Sequence, residues 1–206
     1  HLFSMYAKQS AISCALKSIE RPAFGFVIVI TPIVVMLCIG SQTFGCCGIV
    51  LQMKQEELVE ALKHGAVGVM PTDTIYGICC SVEFEQSLQR IYDVKRRAPS
   101  KKLIMLVSDI QQLEVLGIRL SSAQKRGLEQ VWPGPVSIEF ECDDTKPYLH
   151  KGTHKVAVRL PDHTILRELI SQTGPIVATS ANVSGENFKN DLASIKATLP
   201  GLDFYI

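Results

Sequence analysis

No charged residue stands between Arg21 and Lys54, and residues 1–52 carry only Lys8, Lys17, Glu20 and Arg21 as charges. The whole chain also lacks an excess of either sign: 21 Lys and Arg face 20 Asp and Glu, a formal charge of +1. No global basic field is therefore available to hold nucleic acid. With the four early charges set aside, eighteen bases and nineteen acids remain for residues 53–206, a net charge of −1. The seven cysteines, at positions 14, 38, 46, 47, 79, 80 and 142, are odd in number and include no Cys-x-x-Cys. The cysteines therefore indicate neither a disulfide framework nor a zinc site, and fit reduced thiols in a reducing, cytoplasmic setting. Two nucleotide signatures are missing as well: no Gly-x-x-x-x-Gly-Lys-Ser/Thr occurs, and no Gly-x-Gly-x-x-Gly follows a strand.

What is present is enough for one domain with an appendage. Of 206 residues, 47% are hydrophobic and 20% charged, which supports a core and excludes a disordered chain. Residues 23–40 form an apolar run, close to the ~20 residues needed to cross a bilayer core. Three readings of residues 1–52 stay open: an anchor or uncleaved signal giving membrane contact through residues 23–51, a buried element of the fold, or sequence outside the functional protein. The third rests on His1 in place of Met and on the well-formed amphipathic segment that starts at Met53. The chain thus divides into a hydrophobic segment, 1–52, and a domain, 53–206.

From Met53 onward helices and strands intermix. Glu56–Gly65 has acids at its start, Leu58, Ala61 and Leu62 on one face, and Gly65 to end it, which predicts a short helix. Ala66–Met70 reads as a strand, Glu85–Lys95 as a helix with Phe84, Leu88, Ile91 and Tyr92 on its apolar stripe, and Leu103–Val107 as a buried strand. Ser108 is placed to cap a helix through Leu116, and Ser122–Val131 is a further helix, stopped by Trp132-Pro133-Gly134-Pro135. Strands at Val136–Cys142, Lys155–Leu160 and Ile176–Thr179 surround a helix at Thr164–Gln172. This order predicts an α/β or α+β fold, a twisted mixed sheet flanked by helices.

Four places could carry chemistry. The loop Pro71-Thr72-Asp73-Thr74-Ile75-Tyr76-Gly77 follows a strand, where sheet folds place ligand groups, although a turn with Asp73 on local amides explains it equally. Lys95-Arg96-Arg97-Ala98-Pro99-Ser100-Lys101-Lys102 sets five bases in eight residues and runs on past the helix end, a density suited to phosphate oxygens or to plain solvation. Ala178-Thr179-Ser180-Ala181-Asn182-Val183-Ser184-Gly185 is rich in small donors that could cradle a phosphate, or form an ordinary turn. Arg159 ends an apolar strand, so its guanidinium needs a partner, either a protein carboxylate or a ligand's. His64, His150, His154 and His163 show no metal-like spacing with Cys or acids, and no Ser-His-Asp or Cys-His arrangement is evident. The catalytic residues are unknown, and chemistry without a nucleophile would proceed by positioning and charge neutralisation.

In this order the blocks Pro71–Gly77, Lys95-x-Arg97, Trp132–Pro135, Val156–Pro161 and Ser180–Gly185 resemble the YrdC family of L-threonylcarbamoyladenylate synthases. The resemblance covers roughly residues 53–206. It implies a YrdC-like sheet with a wide basic groove and a nucleotidyltransferase that joins L-threonine, bicarbonate or carbon dioxide, and ATP. The adenylate would pass to a separate enzyme modifying adenosine 37 of tRNA. Carried over residue by residue, Lys95, Arg97, Lys101, Ser180 and Asn182 would bind ATP. Thr74, Arg159 and Ala178 would form the threonine pocket, with Arg159 on the carboxylate. Mg2+ would ride on the triphosphate, with no protein metal ligand. Ala98, Lys102 and Ser137 depart from the family's usual Pro, Pro and Thr. The family domain also runs on past a position like Ile206 with a Gly-rich segment and a Ser-Thr strand, so the chain is expected to be a piece of a longer product.

Two alternatives remain. An RNA-binding module could use the same groove for a duplex or tRNA, supported by Lys95–Lys102 but opposed by the net charge of −1 over residues 53–206 and the lack of an aromatic-rich basic stripe. A carbamoyl-transfer domain of the hydrogenase-maturation type uses a related fold, but its zinc-finger cysteines are absent here.

Overall fold

The computed structural model describes residues 53–206 together with the backbone of a two-residue strand, β1 (Ile28–Val29). The remaining readings of the hydrophobic segment lie outside the described residues. Along the described chain follow α1 (Gln55–Lys63), β2 (Gly68–Pro71), β3 (Tyr76–Ser81), α2 (Glu85–Val94), β4 (Ile104–Leu106), a 3-10 turn (Gln111–Leu116) and α3 (Ser122–Leu128). Then come β5 (Ser137–Glu141), α4 (Pro147–His150), β6 (Lys155–Arg159), α5 (Thr164–Thr173), β7 (Ile176–Ser180), α6 (Leu192–Thr198) and β8 (Phe204–Tyr205). No helix among the described residues is long and apolar enough to cross a membrane.

The strands join in one mixed sheet of eight, ordered β1-β5-β6-β4-β7-β3-β2-β8. The β4–β6 and β2–β8 pairs are parallel and the rest antiparallel. Side-chain alternation divides each strand between two cores. Ile78, Cys80, Met105, Ile138, Phe140, Val156, Val158 and Val177 point to one face, beneath α2 and the 3-10 turn. Cys79, Leu106, Ile176 and Ala178 point to the other, beneath Leu58, Val59 and Leu62 of α1 and Leu166, Leu169 and Ile170 of α5. By the same alternation Arg159, Ala157 and Glu139 belong to this second face, since Ala157 lies opposite Glu139 and Arg159 opposite Leu106. The α1/α5 cluster covers one part of that face and stops short of Glu139 and Lys155.

Helix ends follow local chemistry. The Glu57 carboxylate accepts the Lys54 N–H at 3.3 Å. Ser121 and Gln124 bond reciprocally at the start of α3, with Ser121 N–H to Gln124 Oε1 at 2.8 Å and Gln124 N–H to Ser121 Oγ at 3.3 Å. The expected helix after Ser108 is a 3-10 turn instead, and its start is held by Asp109, whose Oδ1 accepts the Gln112 N–H at 3.0 Å. It ends at Gly117 in the left-handed region, φ 73°, where a Cβ would lie 2.1 Å from Asp143 Oδ1. Helix α3 stops at Leu128, three residues before the Val131 expected from the proline block, and turns carry the chain on to Trp132.

Strand β3, in the middle of the sheet, has no strong sequence signal: Tyr-Gly-Ile-Cys-Cys-Ser contains one β-branched residue. Pairing with β2 on one side and β7 on the other imposes its conformation. At the sheet's end Phe204 lies over Gly68, so closely that a Cβ there would fall 2.3 Å from the ring. Asp203 fastens this edge, accepting the Val67 N–H and Arg90 Nη1, each at 2.7 Å.

Candidate active site

The turn between β2 and β3 is built by Thr72. Its hydroxyl donates to the Ile75 carbonyl at 2.6 Å and its N–H to the same oxygen at 3.1 Å. With Thr72 closing the turn, Asp73 is turned toward the sheet. Its Oδ1 accepts Nη2 of Arg159 at 2.9 Å, and the two side chains are 6% and 7% exposed. Arg159 Nε is buried and has no partner. Burial pushes the Asp73 carboxyl up and outweighs the opposing pull of Arg159. Cys79 and Ala178, paired in register, lie on the same face. Burial pushes the Cys79 thiol up to about 12, with Arg159 pulling the other way. Thr74 is exposed on the turn, its N–H 3.4 Å from Thr72 Oγ1.

A second group gathers on Lys95, just past α2. Lys95 is 1% exposed. Its Nζ donates to the carbonyl of Ser180, to that of Asn182 at 2.7 Å and to Asn182 Oδ1 at 3.3 Å. Three acceptors match the three N–H bonds of an ammonium. Burial, and then the charge of Arg97, bring this ammonium down to about 8. The Lys95 carbonyl accepts the Ser184 N–H at 2.9 Å, Ser180 Oγ donates to Asn182 Oδ1 at 2.6 Å, and Asn182 Nδ2 donates to the Glu186 carbonyl at 2.7 Å. Residues 180–186 are thus tied to the end of α2 through one lysine.

Arg97 folds back on the basic loop, with Nη2 donating to the Lys102 carbonyl at 2.9 Å. Lys101 is exposed, and its carbonyl accepts the Tyr92 hydroxyl at 3.2 Å. Lys102 reaches Glu139 at 2.5 Å and Lys155 lies 4.0 Å from the same carboxylate, so part of the local positive charge is neutralised within the protein. The Trp132–Pro135 block is tied to the residue after Arg159: Gly134 N–H donates to the Leu160 carbonyl at 2.9 Å, while Trp132 Nε1 donates to the Val136 carbonyl at 2.7 Å.

The two groups meet at the start of β3. Tyr76 follows the Asp73 turn directly, its carbonyl accepts the Ala181 N–H at 2.9 Å, and Gly77 pairs with Ser180. The structure therefore brings Thr74, Ala178 and Arg159 into one neighbourhood and Lys95, Ser180 and Asn182 into another that adjoins it, with Arg97 and Lys101 on the loop beyond. Sequence reasoning missed two members. Asp73 is the partner of Arg159, for which only the general need of a buried guanidinium gave a signal. Glu139 is the partner of Lys102, and alternation along β5 could have placed it. A cavity of ≈ 490 Å³ lies elsewhere, lined by Met53, Lys196 and residues 200–206. None of the site residues reaches it, and its charged groups are engaged otherwise, Asp203 with Arg90 and Lys196 over Tyr205.

A family model named for Sua5, YciO and YrdC, and described as telomere recombination, matches residues 60–206. The chain belongs to this family. Among curated relatives, it is 34% identical to the threonylcarbamoyl-AMP synthase of Chromohalobacter salexigens over 143 residues, 68% of this chain and 77% of that one. It is 35% identical to the protein of the same name from Vibrio vulnificus over 136 residues, 64% of this chain and 73% of that one. Among solved structures, P. abyssi Sua5 complexed with L-threonine superposes with a TM-score of 0.62 at 28% identity, covering 70% of this chain. The chain spans 44% of that longer protein. The α/β sheet expected for the Sua5/YciO/YrdC family is thus the one observed.

Proposed function

We propose that this chain forms L-threonylcarbamoyladenylate and pyrophosphate from L-threonine, bicarbonate or carbon dioxide, and ATP, supplying a tRNA-modifying enzyme with the activated group for N6-threonylcarbamoyladenosine. The observation that carries this reading is the Arg159 guanidinium: buried, held on one side by Asp73, and left with an unpartnered Nε. An amino-acid carboxylate meets that need, because a buried donor without a partner costs ~1–3 kcal/mol. Thr74 on the turn and Ala178 beneath it supply a hydroxyl and a small wall for a threonine-sized ligand.

In this reading the threonine amine adds to carbon dioxide and loses a proton. The carbamate oxygen then bonds to the α-phosphorus as the bond from α-phosphorus to the bridging oxygen breaks and pyrophosphate departs. Arg97 and Lys101 take the phosphates, with Ser180 and Asn182 at the nucleotide; Lys95, expected among the phosphate ligands, has its three N–H bonds filled within the protein and holds Ser180 and Asn182 in place instead. Mg2+ fits as a passenger of the triphosphate. The carboxylates at the site, Asp73 and Glu139, are already ion-paired, which leaves the phosphate oxygens as its ligands. The protein's contribution is positioning and neutralisation of charge. Pyrophosphate release that requires both threonine and Mg-ATP is the expected result; release without threonine, or none with it, overturns the proposal.

The RNA-binding alternative finds less support. Glu139 engages Lys102 and Lys155, and Lys95 is turned inward, so the basic loop presents fewer free cations than its sequence suggests.

A further inference from the structure

We propose that Asp144, His150 and His154 form a site for a divalent transition-metal ion of the zinc class. The residues lie in the connection between β5 and β6, apart from every side chain assigned above to ATP or threonine. The connection closes on itself where Cys142 N–H donates to the His154 carbonyl at 3.0 Å. His150 ends α4, and His154 stands just before β6 with φ 50°. Asp144 Oδ1 lies 3.2 Å from His150 Nε2 and 3.2 Å from His154 Nδ1, and all three ligand atoms fall within 4.8 Å of one another. Zinc–nitrogen and zinc–oxygen bonds of ~2.1 Å in a tetrahedron set ligand atoms about 3.4 Å apart. Two edges of such a face are already present, and the third closes by a small movement of an exposed side chain.

A second observation points the same way. The His150 side chain is 2% exposed, and its Nε2, aimed into the cluster, has no hydrogen-bond partner of acceptable geometry. A buried imidazole nitrogen left this way is unusual. Asp144 and His154 are exposed, so an ion has a path in and a fourth position open to water. The two imidazole rings stack at 4.8 Å with 26° between planes, which brings both to the same side of the carboxylate.

Ligation has a cost that bounds the affinity. His150 Nδ1 accepts the N–H groups of Gly152 at 3.2 Å and His154 at 3.3 Å. The neutral ring therefore carries its proton on Nε2, an assignment from hydrogen bonding. Coordination through Nε2 moves that one proton to Nδ1 and gives up both bonds, each at the long end of the normal range. The site is accordingly one of moderate affinity. An ion here would brace the segment that carries Lys151, whose Nζ lies 3.7 Å over the Tyr92 ring, while Tyr92 in turn holds the Lys101 carbonyl.

The test uses the full chain, freed of metal by chelator dialysis and titrated with Zn2+, and with Co2+ for its visible spectrum, at one fixed pH. His154→Ala and Asp144→Asn alter exposed residues and leave the core intact, and His64→Ala serves as a control elsewhere on the surface. The expected result is one equivalent of metal whose affinity falls about ten-fold or more in both site variants and is unchanged in the control. Loss of that equivalent should be accompanied by loss of its Co2+ bands. Binding of equal stoichiometry and affinity in all four proteins, or no binding at millimolar metal, overturns the proposal.

Discussion

Asp73 and Arg159, 86 positions apart in sequence, form an ion pair at 2.9 Å in which both side chains are more than nine-tenths buried. The pair fixes the turn after β2 against the end of β6 and leaves Arg159 Nε buried without a partner. Breaking a buried pair by removing one partner costs ~3–5 kcal/mol, because the other charge stays behind uncompensated. Asp73→Asn is therefore expected to lower the unfolding midpoint. In the proposed reaction it should raise KM for threonine about ten-fold or more with a much smaller effect on KM for ATP. Equal changes in both constants would show that Asp73 does not act through Arg159.

Lys95 carries a pH dependence whose sign follows from its burial. Its ammonium is brought down to about 8, against 10.5 for the unperturbed group. Between about 8 and 10.5 the unfolded chain holds a proton that the folded chain has released, so stability rises with pH across that window and levels off above it. Below about 8 both states are protonated and the burial cost is fully present. Denaturant unfolding at pH 7.5 and pH 10 should show wild type gaining on the order of 2–3 kcal/mol relative to Lys95→Gln. A loss in place of a gain would contradict the account.

These two residues also show where the sequence was informative. Arg159 at the end of an apolar strand demands a partner on energetic grounds alone, and the β-branched runs Lys155–Arg159 and Ile176–Ser180 are strands as expected. Asp73 was hidden because Thr72, a weaker turn former, closes the turn and frees the carboxylate. Lys95 reads as one of a run of bases suited to phosphate or to solvent, whereas contacts with residues 180–182, more than eighty positions away, turn it inward. Strand β3 depends on partners on both sides, and α4, α6 and β8 were likewise not expected from the sequence. The histidines of the β5–β6 connection stand at His150-x-x-x-His154, a spacing metal sites use, but no Cys or acid stands at a matching interval in the sequence. Only the folded loop gathers them with Asp144.

Gly68 and Phe204 test the edge of the sheet. A Cβ at Gly68 would lie 2.3 Å from the Phe204 ring. Gly68→Ala is expected to destabilise by about 1–3 kcal/mol, the usual cost of overpacking. Adding Phe204→Leu should recover part of the loss, so the double variant should be more stable than the sum of the single effects predicts. Strict additivity would show that the ring is not what excludes the side chain.

The three thiols among the described residues should be quiet. Burial pushes Cys79 up to about 12 and Cys80 higher still, while burial and then Asp143 and Asp144 push Cys142 up to about 11. Since the thiolate is the reactive form, Cys79 and Cys80 should remain unmodified by iodoacetamide under native conditions at pH 7.5, with Cys142 reacting slowly. Peptide mapping that finds Cys79 or Cys80 labelled before unfolding would contradict their placement in the sheet.

The central claim is that one site joins threonine, inorganic carbon and the α-phosphorus of ATP. Supplying 13C-bicarbonate with threonine and Mg-ATP, and analysing the products by mass spectrometry, tests it most directly. The account predicts an adenylate that contains threonine and one 13C atom, formed together with pyrophosphate and absent when threonine is omitted. An adenylate without the label, or no adenylate from a folded protein given all three substrates, would contradict it.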